Sequence, residues 1–304
     1  MPELPEVQTI VDDLNKKIIG RRITDVWFDT PKIIKKPKPA ELEKQIKGLK
    51  IVDVRRKGKN ILVYLTNNKQ PTTNDFLLLI HQKLTGHLLY GKWQIKKVSG
   101  IKYQVSSLIS GSLEEKVNNY IHLIFYLDND WQLALSDLRK FAKVLFGPKE
   151  EIENLPDLKK IGPEPLARNF DISAFQNLIK RERRKIKQVL MDQEVIAGIG
   201  NIYSDEILWQ AKIHPFMPTY KLKTYQLKNL YKAMRQILQK AIKLRGTSIS
   251  DFRDTGGKPG AYTEIRKVYQ REGEPCNRCG TPIKRVKIGG RSAHYCPKCQ
   301  SNCE

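Results

Sequence analysis

The sequence lacks long hydrophobic runs, and its amino terminus lacks an apolar segment. Even a stretch such as FLLLI at 76–80 is far too short to cross a bilayer, which argues against a transmembrane helix. The first residues, MPELPEVQ, carry two glutamates where a secretory signal would have an apolar core. We therefore expect an intracellular, cytoplasmic protein with no membrane partner.

Acidic residues are scarce relative to basic ones. The 304 residues include 55 Lys+Arg and 32 Asp+Glu, a net charge of +23 at pH 7. This excess predicts attraction to a polyanion and binding that weakens steeply with salt, because neutralised phosphates release counterions. Nucleic acid is the leading candidate, although an AT-rich genome that favours Lys codons explains part of the excess. An anionic membrane is disfavoured because neither end carries a clear basic amphipathic helix.

Two kinds of periodicity divide the chain. Residues 5–18 predict a helix that starts near Pro5, and the stretch PKIIKKPKPAE at 31–41 is typical of a solvated loop. Short β-rich runs, which predict a sandwich or barrel, lie at 50–54, 60–65, 76–81, 120–127, 131–136 and 143–146. Helical periodicity follows a Pro-rich boundary, at 172–182, 185–196, 202–213 and 222–245.

Two C-x₂-C pairs near the carboxyl terminus indicate a structural zinc site. The ligands are Cys276, Cys279, Cys296 and Cys299, and the 16 residues between the pairs allow both to meet around one tetrahedral ion. Four thiolates leave no open coordination position, so the metal would stabilise a domain and do no chemistry. Disulfides or free thiols are the alternatives. Cys303 is left over as a tail thiol.

The amino terminus is a candidate nucleophile. A small second residue, here Pro2, permits removal of Met1 and exposes a secondary amine. A terminal amine titrates near pH 8, so a useful fraction is an unprotonated nucleophile at neutral pH. Its condensation with a sugar aldehyde carbon gives a cationic iminium, which acts as an electron sink.

Several motifs, in order along nearly the whole chain, resemble the formamidopyrimidine-DNA glycosylase family. They are MPELPEV, RKGKNILVYL, DLRKF, LMDQEVIAGIGNIYSDEILW, GGKPGAY and the terminal C-x₂-C…GRSAHYC-x₂-C. The resemblance implies that Pro2 is the nucleophile that attacks C1′, and that Glu3 assists opening of the sugar ring. It further implies that Lys59 assists base excision and that Arg291 grips the phosphates flanking the lesion.

The resemblance also implies a set of DNA-binding residues. Asn201, in the helix–two-turn–helix turn, would hold a backbone phosphate, and the basic run KRERRKIK at 180–187 would continue the DNA track. Leu84, Arg139 and Phe141 would fill the space that the everted base leaves, although Leu84 and Phe141 in isolation would be read as ordinary core.

The chain departs from the family at this duplex-probing surface. HQKLTG (81–86) stands for the usual H-L-G-M-S-G, and DLRKFA (137–142) stands for D-P-R-R-F-G. Asn118 stands where a DNA-contacting histidine is typical. These changes bear on the preferred lesion and opposite base, whereas the residues implied in the chemistry are intact.

We expect an α+β multidomain fold: an N-terminal β-sandwich flanked by helices, a helix–two-turn–helix domain and a C-terminal zinc-finger β-hairpin. The expected boundaries are a catalytic domain at 1–148, a linker at 149–164, a helical domain at 165–247, a lesion-capping loop at 248–269 and a zinc finger at 270–304. The glycines of DTGGKPGAYTEI would give this loop the mobility of a closing lid.

The function implied by the resemblance is excision of oxidised purines from damaged double-stranded DNA, followed by β,δ-elimination at the abasic site. The alternatives are an endonuclease VIII-like preference for oxidised pyrimidines, whose members typically begin MPEGPE, and a catalytically silent binder of damaged DNA. The expected cofactor is one structural Zn²⁺. We expect no nucleotide cofactor, and a monomer that associates with the nucleoid.

Overall fold

The computed structural model of the chain describes residues 1–67, 75–99, 102–249 and 251–301. It contains two compact units. Unit 1 comprises residues 1–2, 6–159 and 245–261, and unit 2 comprises residues 3–5, 160–244 and the described residues from 262 onward.

Two sheets form the body of unit 1. Their strands are β1 (Ile23–Phe28), β2 (Ile34–Lys36), β3 (Lys50–Lys57), β4 (Asn60–Thr66), β5 (Phe76–His81), β6 (Gly86–Gly91), β7 (Trp93–Ser99), β8 (Lys102–Ser107), β9 (Ile121–Leu127), β10 (Gln132–Asp137) and β11 (Lys143–Pro148). One sheet has the order β1-β9-β10-β6 and the other β2-β11-β5-β4-β3, while β7 and β8 pair as a separate hairpin. The helices are α1 (Leu4–Lys17), α2 (Pro39–Ile46), α3 (Lys149–Glu153) and α4 (Pro156–Lys159).

Alternation along the strands places the core between these two sheets. Leu133 and Leu135 of β10 point into one hydrophobic cluster with β4 and β5, whereas Ala134 points into a second cluster with Trp93. Helix α1 adds its apolar face to the first cluster through Val7, Ile10, Val11 and Leu14. The expected sandwich flanked by helices is therefore confirmed.

The expectation of a solvated loop at 31–41 is wrong. Residues Pro31–Ile33 form a 3-10 turn that leads into β2, and α2 begins at Pro39. Ile33 and Ile34 are buried in the sandwich core, and β2 pairs in parallel with β11. The lysines, which make the sequence of this segment polar, extend outwards. The two isoleucines supply its apolar contacts with the core.

Unit 2 consists of a helical core and a β-hairpin. Its helices are α5 (Ile172–Arg181), α6 (Ile186–Met191), α7 (Asn201–Ala211) and α8 (Thr224–Lys243), and the hairpin pairs β12 (Lys284–Ile288) with β13 (Arg291–Tyr295). Helix α6 ends five residues before the predicted 196. The chain turns there because the Asp192 carboxylate accepts the Glu194 N–H at 3.0 Å.

The helical domain and the terminal hairpin are confirmed, as is the α+β class. In the described ranges, no helix is both long enough and apolar enough to span a bilayer.

Candidate active site and zinc centre

Asp137 organises the two turns of unit 1 that carry the predicted duplex-probing residues. Its side chain is fully buried. Oδ1 accepts the Thr85 hydroxyl at 2.5 Å and the Arg139 N–H at 3.3 Å, and Oδ2 accepts the Ala142 N–H at 2.7 Å. One carboxylate thus joins the turn after β5 to the turn after β10.

The two turns present their side chains outwards. Phe141 is 50% exposed, so the interpretation of Phe141 as an ordinary core residue is wrong. Leu84 is half-buried. The Arg139 guanidinium carbon lies 4.7 Å from the centroid of the Phe141 ring, which is a cation–π contact. The joint action of these three side chains on DNA stays a prediction.

A cavity of about 520 Å³ in unit 1 brings the amino terminus to these turns. Its lining combines Met1, Leu84 and Phe141 with four lysines, Lys32, Lys35, Lys83 and Lys140. Pro2, bonded to Met1, is itself buried. Met1 therefore lines the same positively charged cavity as Leu84 and Phe141, two of the residues predicted to fill the space of the everted base. We call Leu84 and Phe141 the predicted wedge.

Lys59 lies in the turn between β3 and β4, beside Gly58, whose φ is 58°. Lys59 is only 6% exposed, so it is not an ordinary solvated lysine of the surface. Burial, together with the charges of Lys83 and Lys59, lowers the pKa of His81 to about 3. His81 is thus neutral at physiological pH, and its Nδ1 accepts the Lys83 N–H at 2.9 Å.

Glu3 caps a helix of unit 2. Its carboxylate accepts N–H groups of Gly200 at 2.8 Å, Ile202 at 2.9 Å and Tyr203 at 3.3 Å, all at the start of α7. These are donors that a helix leaves without an intrahelical partner, so a carboxylate there is stabilising. A Cβ on Gly200 would lie 2.4 Å from the Glu3 carboxyl carbon, which explains the glycine before Asn201.

Asn201 and Arg291 both interact with Tyr269. Burial raises the pKa of the Tyr269 hydroxyl, while a hydrogen bond with the Asn201 side chain and the charge of Arg291 oppose that rise. Asn201 Oδ1 is buried and has no hydrogen-bond partner in the described parts of the chain. Asn201 also lines a cavity of about 300 Å³ with Arg285, Ser292 and His294. Two predicted phosphate ligands therefore share one neighbourhood within unit 2.

The basic run at 180–187 does not present all its charges to solvent. Lys187 is fully buried, and its Nζ donates to Asp205 Oδ1 at 2.5 Å and to the Ser292 carbonyl at 2.7 Å. Asp205 Oδ2 also accepts the His294 N–H at 2.9 Å. Lys187 thus joins the hairpin to α7, and its expected place on a DNA track is wrong, because its charge is already paired.

The four cysteines of the two C-x₂-C pairs converge in unit 2. Their Sγ atoms all lie within 4.8 Å of one another. The thiol of Cys276 accepts the Trp209 Nε1–H at 3.4 Å, and Trp209 packs with Val268 and Ile283 around the cluster. Such a closed set of sulfur ligands fits a tetrahedral Zn²⁺ ion, which would hold the hairpin together and leave no position for substrate. Cys303 lies outside the described residues.

Comparison with known proteins decides the family. The N-terminal domain model of formamidopyrimidine-DNA glycosylase matches residues 1–144, its H2TH domain model matches 161–253, and a zinc finger found in FPG and IleRS matches 273–302. The formamidopyrimidine-DNA glycosylase of Pelotomaculum thermopropionicum is 37% identical over 300 residues, covering 99% of both chains. The chain belongs to the formamidopyrimidine-DNA glycosylase family.

Solved structures of this family agree in fold. A complex of the Lactococcus lactis enzyme with DNA containing an abasic site has a TM-score of 0.82, and a complex with DNA containing Fapy-dG has 0.81. Each is 33% identical and covers 99% of this chain, while this chain covers all of each. The zinc finger of the family and the four converging cysteines together establish one structural zinc.

Asn118, which stands where family members typically have histidine, is buried in unit 1. Its Nδ2 donates to the Ser112 carbonyl at 2.7 Å, and its Oδ1 has no hydrogen-bond partner in the ranges that the structure describes. A Cβ on Gly257 would meet the Ser112 carbonyl oxygen at 2.6 Å and Asn118 Nδ2 at 3.0 Å. Close backbone approach therefore accounts for this glycine of the capping segment better than mobility does.

The first two residues of DTGGKPGAYTEI, Asp254 and Thr255, are anchored by hydrogen bonds and ion pairs. The Thr255 hydroxyl donates to Asp13 at 2.8 Å and accepts from Lys17 at 2.7 Å, and the Thr255 carbonyl accepts the Tyr90 N–H at 2.8 Å. The Arg245 guanidinium bridges Asp13 and Asp254. The lid expected from the glycines therefore has a fixed beginning in unit 1.

Some site residues escaped sequence reasoning. Asp137 stood inside the DLRKFA motif, and an acid before a turn is a recognisable signal for a residue that binds turn N–H groups. Tyr269, Lys32 and Lys35 gave no local signal, because only the fold places them beside Asn201 or beside Met1.

Proposed function

We propose that this chain is a bifunctional base-excision repair enzyme that removes oxidised purines, such as 8-oxoguanine and formamidopyrimidines, from duplex DNA and nicks the abasic site. The carrying observation is the cavity that Met1 shares with Leu84 and Phe141. Removal of Met1 deletes part of the cavity wall and makes Pro2 the new terminus. A nucleophilic amine then stands beside the side chains that would occupy an opened base stack.

The reaction follows from that amine. The Pro2 nitrogen bonds to C1′ and gives up its N–H proton while the glycosidic bond breaks; the electron pair of the glycosidic bond leaves with the base, which takes up a proton. Opening of the C1′–O4′ bond sends its pair to O4′ and yields an iminium between Pro2 and C1′. Loss of a C2′ proton expels the 3′ phosphate, and loss of a C4′ proton expels the 5′ phosphate. Water then adds to C1′ of the conjugated iminium, and the bond between C1′ and the Pro2 nitrogen breaks, which releases the unsaturated sugar aldehyde and frees Pro2.

The remaining roles are assigned by chemistry and place. Glu3, adjacent to the nucleophile in sequence, assists ring opening, and buried Lys59 supplies a cation for base excision. Arg139 reads the base opposite the lesion, while Leu84 and Phe141 fill the gap that the everted base leaves. Asn201 and Arg291 hold phosphates, since each offers polar donors near Tyr269. Asn118 is assigned a DNA contact only because it stands at the position where the family typically has a DNA-contacting histidine.

The proposal includes the organisation of the chain. The catalytic domain spans 1–148, the linker 149–164, the helix–two-turn–helix domain 165–247, the capping loop 248–269 and the zinc finger 270–304. The partner is damaged double-stranded DNA, which suits the charge of +23. The protein acts inside the cell as a nucleoid-associated monomer and needs no nucleotide cofactor.

Borohydride trapping tests the proposal. Wild-type protein with a duplex that contains 8-oxoguanine opposite cytosine should form a covalent adduct, and Pro2→Gly should form none. An adduct on an oxidised-pyrimidine duplex, without one on the purine duplex, would move the specificity to that of the endonuclease VIII-like enzymes. No adduct on purine, pyrimidine or abasic duplexes would make the chain a binder of damaged DNA.

A further inference from the structure

The cavity at the amino terminus is lined by an excess of positive charge. Four of its lining residues are lysines, Lys32, Lys35, Lys83 and Lys140, and the lining as described contains no carboxylate. Within the described ranges, none of these lysines has a carboxylate oxygen within 4.0 Å. The four ammonium groups therefore give the cavity a positive potential, although the Asp29 carboxylate is close enough to Lys140 for the two charges to interact.

Two of the lysines have a backbone conformation that L-residues rarely adopt. Lys83 has a φ of 55° and Lys140 a φ of 56°. Lys83 directly precedes Leu84, and Lys140 directly precedes Phe141. Glycine would adopt the left-handed conformation without strain, and the motif H-L-G-M-S-G that HQKLTG resembles has glycine at position 83. A lysine that is kept at a strained position beside a site invites a functional explanation.

The two turns are held as one body. The Asp137 carboxylate accepts the Thr85 hydroxyl and the Ala142 N–H, so Lys83 and Lys140 move together with Leu84 and Phe141. The Lys83 N–H is fixed by His81 Nδ1 at 2.9 Å. The charge of Lys83 is thereby placed beside the predicted wedge, where a kinked duplex would bring its backbone close.

We propose that Lys83, with Lys140, Lys32 and Lys35 around it, binds a DNA backbone phosphate next to the base step that Leu84 and Phe141 open. This inference rests on the proposed function, since it assigns a phosphate contact to the duplex that is opened there. Lys83 is a positioning residue: its ammonium holds the kinked backbone while the wedge occupies the gap. It forms no bond to the reacting sugar.

The experiment compares Lys83→Gly with Lys212→Gly. Lys212 is exposed, has a φ of 58° and follows α7, so its replacement removes the same charge at the same backbone conformation, away from the lining of the cavity. The probe is a duplex that contains a tetrahydrofuran abasic-site analogue. Its Kd is measured between about 50 and 200 mM salt for each protein.

We expect Lys83→Gly to bind about tenfold more weakly than wild type at the lowest salt and to lose about one unit of the slope of log Kd against log salt. Lys212→Gly should keep the wild-type slope, and Lys83→Arg should restore it. Glycine fits φ 55°, so unfolding of Lys83→Gly is not expected, and its melting temperature verifies this.

Equal slopes for wild type and Lys83→Gly would overturn the inference, as would equal losses in Lys83→Gly and Lys212→Gly. The proposed function fails separately. If wild type forms no borohydride adduct but Lys83→Gly still loses slope, the phosphate contact stands without the chemistry.

Discussion

Replacement of Asp137 by Asn tests whether one buried carboxylate holds together the turns that carry Leu84 and Phe141. The side chain accepts three hydrogen bonds, from the Thr85 hydroxyl, the Arg139 N–H and the Ala142 N–H, and it is fully buried. Asparagine has the same shape but offers only one acceptor oxygen. If that oxygen keeps Thr85 and Arg139, its NH₂ group faces the Ala142 N–H and leaves that buried donor without a partner.

The magnitude follows from the bonds lost. A hydrogen bond to a charged group contributes about 1.5–3 kcal/mol, and the bonds that remain revert to neutral ones of about 1 kcal/mol each. The lost Ala142 bond accounts for about 1.5–3 kcal/mol and each of the two weakened bonds for about 0.5–2 kcal/mol, so we expect Asp137→Asn to lower the free energy of unfolding of unit 1 by about 2.5–7 kcal/mol. Urea unfolding, monitored through the tryptophans of unit 1, measures this as a shift of midpoint at constant m-value.

Asp128→Asn is the matched control. Asp128 is exposed at the end of β9, so the same loss of charge should change the free energy of unfolding by less than about 0.5 kcal/mol. If Asp137→Asn were as stable as Asp128→Asn, the carboxylate would not be what joins the two turns.

Two further perturbations are predictable. Chelation of zinc, or Cys276→Ser, should unfold the hairpin at 284–295 and abolish DNA binding while the sandwich stays folded. The control variant Cys303→Ser should have no effect. Circular dichroism and DNA titration measure both results, and unchanged DNA affinity after metal loss would contradict the prediction. Burial lowers the pKa of His87 to about 4, so the unfolded state binds the proton more readily between pH 6.5 and 4. Stability should therefore be intact above pH 6.5 and fall by about 1.4 kcal/mol per pH unit below it for this residue. Urea unfolding at pH 7, 6 and 5 measures the slope, which His87→Gln should reduce; an identical slope in the variant would contradict the assignment.

Local patterns were sufficient where one residue type or one spacing dictates the chemistry. The two C-x₂-C pairs predicted the zinc site because four thiolates at that spacing can meet around one ion. The runs at 60–65, 76–81 and 143–146 predicted β4, β5 and β11, since continuous apolar stretches of that length suit buried strands. Strands β1, β2, β6, β7 and β8 were not predicted, because their polar or glycine-bearing sequences become strands through their partners.

The sequence by itself determined the family and the metal ligands, because those depend on residue identity and order along the chain. The tertiary structure alone decided which charges are available and which are already paired. Lys187 and Lys83 read alike as basic residues, yet one is buried against Asp205 and the other lines an open cavity with Met1. Likewise, Glu3 finds its N–H donors almost 200 residues away, at the start of α7. Burial and long-range pairing set the effective charge of a side chain, and both arise only when distant segments pack together.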